Sequence, residues 1–230
     1  MPNKKRLNTI KGKKVLITAG PTREYLDPVR FLSNASSGTM GIALARIAHE
    51  LGAEVTLILG PVDSGRQESL AAENGNKGIT VVPVITAQEM EAAVDKHLLD
   101  TQIFIGAAAV SDYRPLSFHK QKIKKASDPL SIQFVPNPDI IAKVARRTPD
   151  RPYVVIGFAL ETRDLIENAQ KKLRDKGLDW IVANRETSIG KKRGAATLLS
   201  RWGERIPLGT MSKTELARKI WEALLLRPAI

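Results

Sequence analysis

At 230 residues, 43% of them apolar, the chain can bury a sizeable core in one α/β domain of ordinary globular composition. It has no cysteine, which excludes disulfides, thiolate catalysis and cysteine-held metals and fits a reducing cytoplasm; nor has it the run of about 18 apolar residues that a membrane helix needs. The net charge of +12 suits a polyanion such as nucleic acid, small anionic substrates, or a merely solvated face.

The chain opens on a basic segment, residues 1–12, with no hydrophobic signal region behind it, and is expected to be a flexible arm ahead of one domain spanning 13–230. Residues 14–19 read as a buried strand ending at Gly20-Pro21, followed by a long irregular stretch over 22–37. Apolar residues at Ile42, Leu44, Ala45, Ile47, Ala48 and Leu51 give helical spacing over 38–51. A strand follows at 54–59, then a polar, glycine-containing segment at 63–78 expected as a mobile loop, then a short strand at 79–84. Thr86 and Glu89 have capping-box spacing for a helix to about residue 99. Residues 103–110 are apolar throughout, as a central parallel strand buried on both faces requires.

A second long loop is expected from 111 to about 130, then a helix start at Asn137-Pro138-Asp139. Beyond it come a strand at 153–159, a helix at 162–176 and a strand at 179–183. Residues 197–208 look like a hairpin around Trp202-Gly203-Glu204, and Ser212 with Glu215 gives another capping box for a helix to about residue 226. Strands alternating with helices predict a Rossmann-like α/β fold: a mostly parallel sheet with helices on both faces, closed by a C-terminal hairpin and helix. Ligands in such sheets sit at the carboxyl ends of the strands, where both long loops open.

Five motifs can carry chemistry. The first runs Thr18-Ala19-Gly20-Pro21-Thr22-Arg23-Glu24, then Asp27-Pro28-Val29-Arg30, then from Ser33-Asn34-Ala35-Ser36-Ser37 to Gly38 and Gly41. Small and hydroxyl residues before a helix let backbone N–H groups approach an anion, but a capped helix behind an ordinary loop explains them equally well. The second, Ala107-Ala108-Ala109-Val110-Ser111-Asp112, offers small residues against which a flat ligand can lie. Its carboxylate suits a base, a ribose or magnesium, or simply ends a strand. The third, Lys122-Ile123-Lys124-Lys125, suits a triphosphate or is a solvated run. The fourth, Asn137-Pro138-Asp139-Ile140, is fully explained as a helix cap. The fifth, Gly157-Phe158-Ala159-Leu160-Glu161-Thr162, precedes Lys172 and Lys176, which share one helix face. The basic clusters do not interleave with aromatics as a single-strand nucleic-acid platform requires. The histidines His49, His97 and His119 have no metal-ligand spacing, and no Walker loop or dinucleotide fingerprint is present.

In this order the five pieces resemble phosphopantothenoylcysteine synthetase, often the C-terminal half of a bifunctional bacterial flavoprotein. The likeness runs from about residue 13 to 184, with a weaker tail. The stretch Ile17-Thr-Ala-Gly-Pro-Thr-Arg-Glu to Ser33-Asn-Ala-Ser-Ser-Gly-Thr-Met-Gly41 is its most specific part. The resemblance implies a ligase that joins 4′-phosphopantothenate to L-cysteine in coenzyme A synthesis. The substrate carboxylate would attack the α-phosphate of CTP and release pyrophosphate. Cysteine would then open the acyl-cytidylate and release CMP. Bacterial-type members favour CTP and other branches use ATP.

By the same resemblance Asn34 would contact the acyl-cytidylate, as a hydrogen-bond donor to its carbonyl oxygen, and Lys125 would serve the second half-reaction. The nucleotide site would include Gly106, Ala107, Ala108, Asp112, Lys122, Asn137, Pro138, Asp139, Ile140, Phe158, Lys172 and Lys176. Arg30, Ser36 and Gly38 of the first motif are expected to bind substrate. Mg2+ would accompany the triphosphate with no protein ligand assigned to it, no flavin should bind, and the family is dimeric. The segment 189–196 departs from the family pattern. Partners are thus expected to be small molecules and a second copy, with neither nucleic acid nor membrane, in the cytoplasm. Two readings compete with the ligase: a non-catalytic basic nucleotide- or nucleic-acid-binding module, and an NAD-dependent reductase, which the missing glycine fingerprint disfavours.

Overall fold

The structure is a computed structural model that describes residues 9–63, 65, 78–125, 127–185 and 193–226. In chain order come β1 (Lys14–Ala19), β2 (Arg23–Tyr25), β3 (Phe31–Ser33), α1 (Thr39–Glu50), β4 (Glu54–Leu59), β5 (Thr80–Pro83) and α2 (Ala87–His97). Then follow β6 (Ile103–Gly106), β7 (Tyr113–Pro115), β8 (Phe134–Pro136), α3 (Ile140–Ala145), β9 (Val154–Glu161), α4 (Leu165–Lys176) and β10 (Trp180–Arg185). A hairpin of β11 (Arg193–Ser200) and β12 (Arg205–Ser212) and helix α5 (Lys213–Leu225) complete it.

Eight strands form one sheet in the order β12-β11-β10-β9-β6-β1-β4-β5. The six from β10 to β5 are parallel, and β11 and β12 add an antiparallel edge. Numbered along the chain, the parallel strands read 3-2-1-4-5-6, and the order reverses between β1 and β6.

Side-chain alternation divides the core between the two faces. Val15, Ile17, Leu57, Ile105, Ile156 and Val182 face α1 and α5, whereas Leu16, Ile58, Phe104, Val155 and Ile181 face α2, α3 and α4. Trp221 ties α5 to α1 by donating its indole N–H to the Leu44 carbonyl at 3.0 Å. Both capping boxes form, Thr86 with Glu89 and Ser212 with Glu215. The Rossmann-like sheet, the C-terminal hairpin and the last helix are as the sequence predicts. No helix among the described residues is long and apolar enough to cross a membrane.

Several boundaries differ. The stretch 22–37 is not irregular: β2 and β3 pair as a hairpin, with the Tyr25 and Phe31 rings 5.4 Å apart and the Arg23 guanidinium 4.6 Å from the Phe31 ring. The 111–130 loop begins with β7, which pairs with β8. Three-residue strands are too short to show a period, so neither arm is visible as a strand in the sequence. The apolar run 103–110 leaves the sheet after Gly106, and only an isolated bridge from Ala109 to Pro21 continues it. At the fourth motif Asp139 is the cap, so Pro138 precedes the helix. Helix α4 begins at Leu165, three residues later than expected at 162. The packed domain also begins before residue 13, because Ile10 is buried in the core and Gly12 N–H donates to the Gly52 carbonyl. The expected mobile loop 63–78 lies almost wholly outside the described residues, as does 189–192 of the divergent segment; its last four residues open β11.

Candidate functional site

A cavity of about 700 Å³ opens over the carboxyl ends of the parallel strands, at the reversal between β1 and β6. Its floor is Gly106, Ala107 and Ala108, where the chain leaves β6. The backbone there runs alongside the end of β1: Ala107 N–H donates to the Thr18 carbonyl at 3.1 Å and Ala109 N–H to the Gly20 carbonyl at 2.9 Å. Residues with no side chain beyond Cβ keep this floor shallow, so a planar ring can approach the main chain.

One wall is the entry to α1. Gly38 caps the helix in the left-handed region, φ 71°, where a Cβ would lie 2.8 Å from Val62. No side chain caps the helix, although Ser36 Oγ accepts from the Gly38 N–H at 3.3 Å. The first turn of α1 therefore turns toward the cavity the partial positive charge of a helix N-terminus. Asn34 lies on the same loop. Its amide nitrogen donates to the carbonyls of Ala109 (3.2 Å) and Val110 (3.0 Å), so it straps this loop to the floor segment. The donor expected to serve an acyl oxygen is thus engaged with main chain here, and its Oδ1 has no partner among the described residues.

The opposite wall comes from α3 and α4. Asn137 donates through Nδ2 to the Ser111 carbonyl at 2.8 Å and accepts from Arg114 at 3.3 Å. The Asp139 carboxylate caps α3 through Ala142 N–H and pairs with Lys176 Nζ at 2.8 Å. Lys172 Nζ donates to the Phe158 carbonyl at 2.9 Å. Burial, and next the charge of Lys176, hold the Lys172 pKa below the ordinary lysine value; Glu161, Asp139 and Asp112 pull the other way. Asp112 is exposed at the rim, and its carboxylate accepts no hydrogen bond from a described residue. Ser111 is buried with its hydroxyl unpartnered.

The structure therefore brings together Asn34, Ser36, Gly38, Gly106, Ala107, Ala108, Asp112, Asn137, Pro138, Asp139, Ile140, Phe158, Lys172 and Lys176. It does not bring Arg30, Lys122 or Lys125 into that lining. Arg30 pairs with Asp27 instead, and the run that carries Lys122 and Lys125 reaches the same carboxylate only through the Ile123 main chain. The buried Asp27 carboxylate accepts from the N–H groups of Val29, Arg30 and Ile123 and from Arg30 Nη1, at 2.8 to 3.3 Å. Burial would raise its pKa, but these backbone donors and the Arg30 charge outweigh it, leaving the carboxyl below its usual range.

Sequence reasoning missed Asn184 on β10, Ala195 and Ala196 on β11, and Lys213 and Leu216 on α5, all in the cavity wall. Lys213 carried a signal, because it directly follows the cap Ser212; the capping box drew attention to Ser212 and Glu215 instead.

Among the described residues no group of three or more His, Asp and Glu side chains is placed to hold a metal. A hydrated Mg2+ needs only one or two protein carboxylates, and the exposed Asp112 at the rim is of the type that would serve.

A family model described as the DNA/pantothenate metabolism flavoprotein C-terminal domain matches residues 10–226. The coenzyme A biosynthesis bifunctional protein CoaBC of Vibrio cholerae serotype O1 is 46% identical over 216 residues, which cover 91% of this chain and 51% of that protein. The CoaBC protein of Escherichia coli (strain K12) is 50% identical over 181 residues, covering 77% of this chain and 42% of its own length. The chain thus spans about half the length of the curated relatives it matches. A crystal structure of the C-terminal domain of a CoaBC protein superposes with a TM-score of 0.77 at 39% identity, covering 95% of this chain and 97% of that one. The sheet, the cavity at its reversal point and these matches together make the chain a member of the DNA/pantothenate metabolism flavoprotein C-terminal domain family.

Proposed function

We propose that this chain, as a single domain, is a phosphopantothenate–cysteine ligase acting in the cytoplasm in coenzyme A synthesis. Its relatives are named coenzyme A biosynthesis proteins. The observation that carries the reading is the convergence of Asn34, Asp112, Asn137, Phe158, Lys172 and Lys176, drawn from five separate segments, on one cavity. In the first step the substrate carboxylate forms a bond to the α-phosphorus of CTP, and the bond to pyrophosphate breaks. In the second, the amine of cysteine attacks the acyl carbon, CMP leaves, and the amine gives up a proton.

Each step joins groups that repel, so fixed positive charge and positioning supply much of the rate. Lys172 and Lys176 provide that charge, the base lies on Ala107 and Ala108, and Asp112 would hold a magnesium ion that accompanies the triphosphate and offsets its charge. Asn34 acts in the second step, where its amide exchanges the carbonyls of Ala109 and Val110 for the acyl oxygen as negative charge grows there.

We further propose that two copies pair through the arms. Val29, Phe31 and Leu32 near β2–β3, with Tyr113, Leu116, Phe118, Leu130 and Phe134 around β7–β8, are exposed large apolar residues on neighbouring arms. An isologous pairing that covers them would carry Arg30, Lys122 and Lys125 toward the partner's cavity.

The test is pyrophosphate release with phosphopantothenate, cysteine and each nucleoside triphosphate in turn. We expect release with CTP, less with ATP, and none without phosphopantothenate. Release independent of phosphopantothenate would sink the reading.

The depressed Lys172 pKa adds a pH signature. The phosphates of CTP need the protonated amine, so affinity is full below that pKa and falls as pH rises through it. Calorimetric titration with CTP from about pH 7 to pH 10 should show a several-fold loss before ordinary lysines titrate. Lys172→Arg, which stays charged throughout, should remove this lysine's share of the loss. An unchanged profile in that variant would remove Lys172 from the binding step.

A further inference from the structure

The cavity straddles the edge of the sheet, and its cations come from both faces. Lys172 and Lys176 belong to α4, on the face packed by Leu16, Phe104 and Ile181. Lys213 belongs to α5, on the opposite face, which α5 shares with α1. Two of the three are already engaged: Lys176 with the Asp139 carboxylate, Lys172 with the Phe158 carbonyl. Lys213 has no hydrogen bond or ion pair to any described residue. The nearest acid in sequence, Glu215, is committed to the Ser212 N–H at 2.8 Å within the capping box.

The position is costly in three ways. Lys213 is the first residue of α5, where the helix macrodipole favours acids and disfavours cations. It is half-buried, and this loss of water drives its pKa below the usual lysine value. It also lacks a counter-charge among the described residues. Nothing in the packing of α5 calls for an amine there, because the buried face of the helix is supplied by Leu216, Ala217, Ile220, Trp221 and Leu224. An anion in the cavity would relieve all three costs at once. The wall nearest in the fold, the first turn of α1, lies on the same face and favours an anion too.

We propose that Lys213 is a phosphate-binding residue of this cavity, holding a substrate phosphate on the α1–α5 face of the sheet, opposite the Lys172–Lys176 wall. The substrates named rest on the ligase reading, which supplies two sources of that chemistry: the triphosphate of the nucleotide and the phosphate monoester of phosphopantothenate.

Binding of CTP and of 4′-phosphopantothenate is measured separately by calorimetry, on the wild-type chain, Lys213→Gln and Lys213→Arg. Unliganded thermal melts and turnover accompany each. Loss of a charge-assisted hydrogen bond should weaken one of the two ligands by about tenfold or more in Lys213→Gln. Lys213→Arg should retain most of the affinity. The unliganded Lys213→Gln chain should melt at or above the wild-type temperature, since a strained cation has been removed; a purely structural lysine would lower it. The ligand that loses affinity identifies the source of the phosphate. Affinities for both ligands within about twofold of wild type overturn the proposal, as does a melting temperature that falls along with affinity. A wild-type chain that binds both ligands but releases no pyrophosphate sinks the ligase reading and leaves Lys213 in place. A wild-type chain that binds neither overturns both.

Discussion

Replacing Asp179 with alanine is expected to lower stability by about 3–5 kcal/mol, because it leaves charge and main chain without their buried partner. The Asp179 side chain is 2% exposed. Its Oδ2 accepts from Arg151 Nη2 at 2.7 Å and from the Val155 N–H at 2.8 Å, and its Oδ1 meets Arg201 Nη1 at 3.3 Å. Its own N–H donates to the Val155 carbonyl at 3.0 Å, so it joins the starts of β9 and β10. Arg201 is half-exposed and contributes little. The loss comes from Arg151 and from the Val155 N–H, which would face a buried site with no acceptor. Urea unfolding should show the change, with a fall in melting temperature of about 10 °C. Asp179→Asn retains an acceptor for Val155 and should lose less. The residue sits at the amino ends of the strands, away from the cavity, so turnover per folded molecule should be unchanged. A loss below about 1 kcal/mol would show that the carboxylate is not what closes this end of the sheet.

The second large effect is on rate. Gly41 is buried on α1 where the helix crosses the end of β1. A Cβ there would lie 2.4 Å from Ala19 Cβ, 3.2 Å from Ala19 Cα and 3.3 Å from the Thr18 carbonyl oxygen. Carbon atoms prefer about 3.5–4.0 Å, so the helix must retreat by about 1 Å. Gly41→Ala should cost about 1–3 kcal/mol of stability and still fold. The same retreat carries the first turn of α1, with Ser36 to Gly38, off the cavity floor, and a shift of that size costs about 100-fold in rate. The expected outcome is a kcat/KM for pyrophosphate release near one hundredth of wild type, with normal circular dichroism. Ala19→Gly placed in the Gly41→Ala background removes the closest contact and should recover part of the rate. Full activity in Gly41→Ala alone would show that the seating of α1 does not govern the chemistry.

These two residues also show what could be read in advance. The parallel core was legible because strands buried on both faces need unbroken apolar runs such as Val15-Leu16-Ile17, and the helices announced themselves through Thr86–Glu89 and Ser212–Glu215. The arms were not legible, since Arg23–Tyr25 and Phe31–Ser33 are held by a ring contact and by Asp27 rather than by a repeating pattern. Within the site, motifs named most of the lining because they cluster at strand ends, where backbone geometry already fixes the neighbours. Motif order cannot say which lysines converge, so Lys122 was grouped with Lys172, and Lys125 with Asn34, although neither Lys122 nor Lys125 lines the cavity. It also cannot see an amide that donates to two main-chain carbonyls, as Asn34 does.

The Asp27 carboxylate gathers donors from two arms that are far apart in sequence: the turn between β2 and β3, and the lysine loop through Ile123. The arms are therefore mechanically coupled, and a push on one displaces the other. Because the folded pKa of Asp27 lies below its unfolded value, the coupling is in force above the ordinary carboxylate range and is lost only as pH falls through the depressed value. Arg30 and the main chain at Ile123, inside the Lys122–Lys125 run, are consequently held to one carboxylate, which makes the two basic segments a single block. A docking surface can use such a block as a gauge, accepting only a counterpart whose anionic groups have the same spacing.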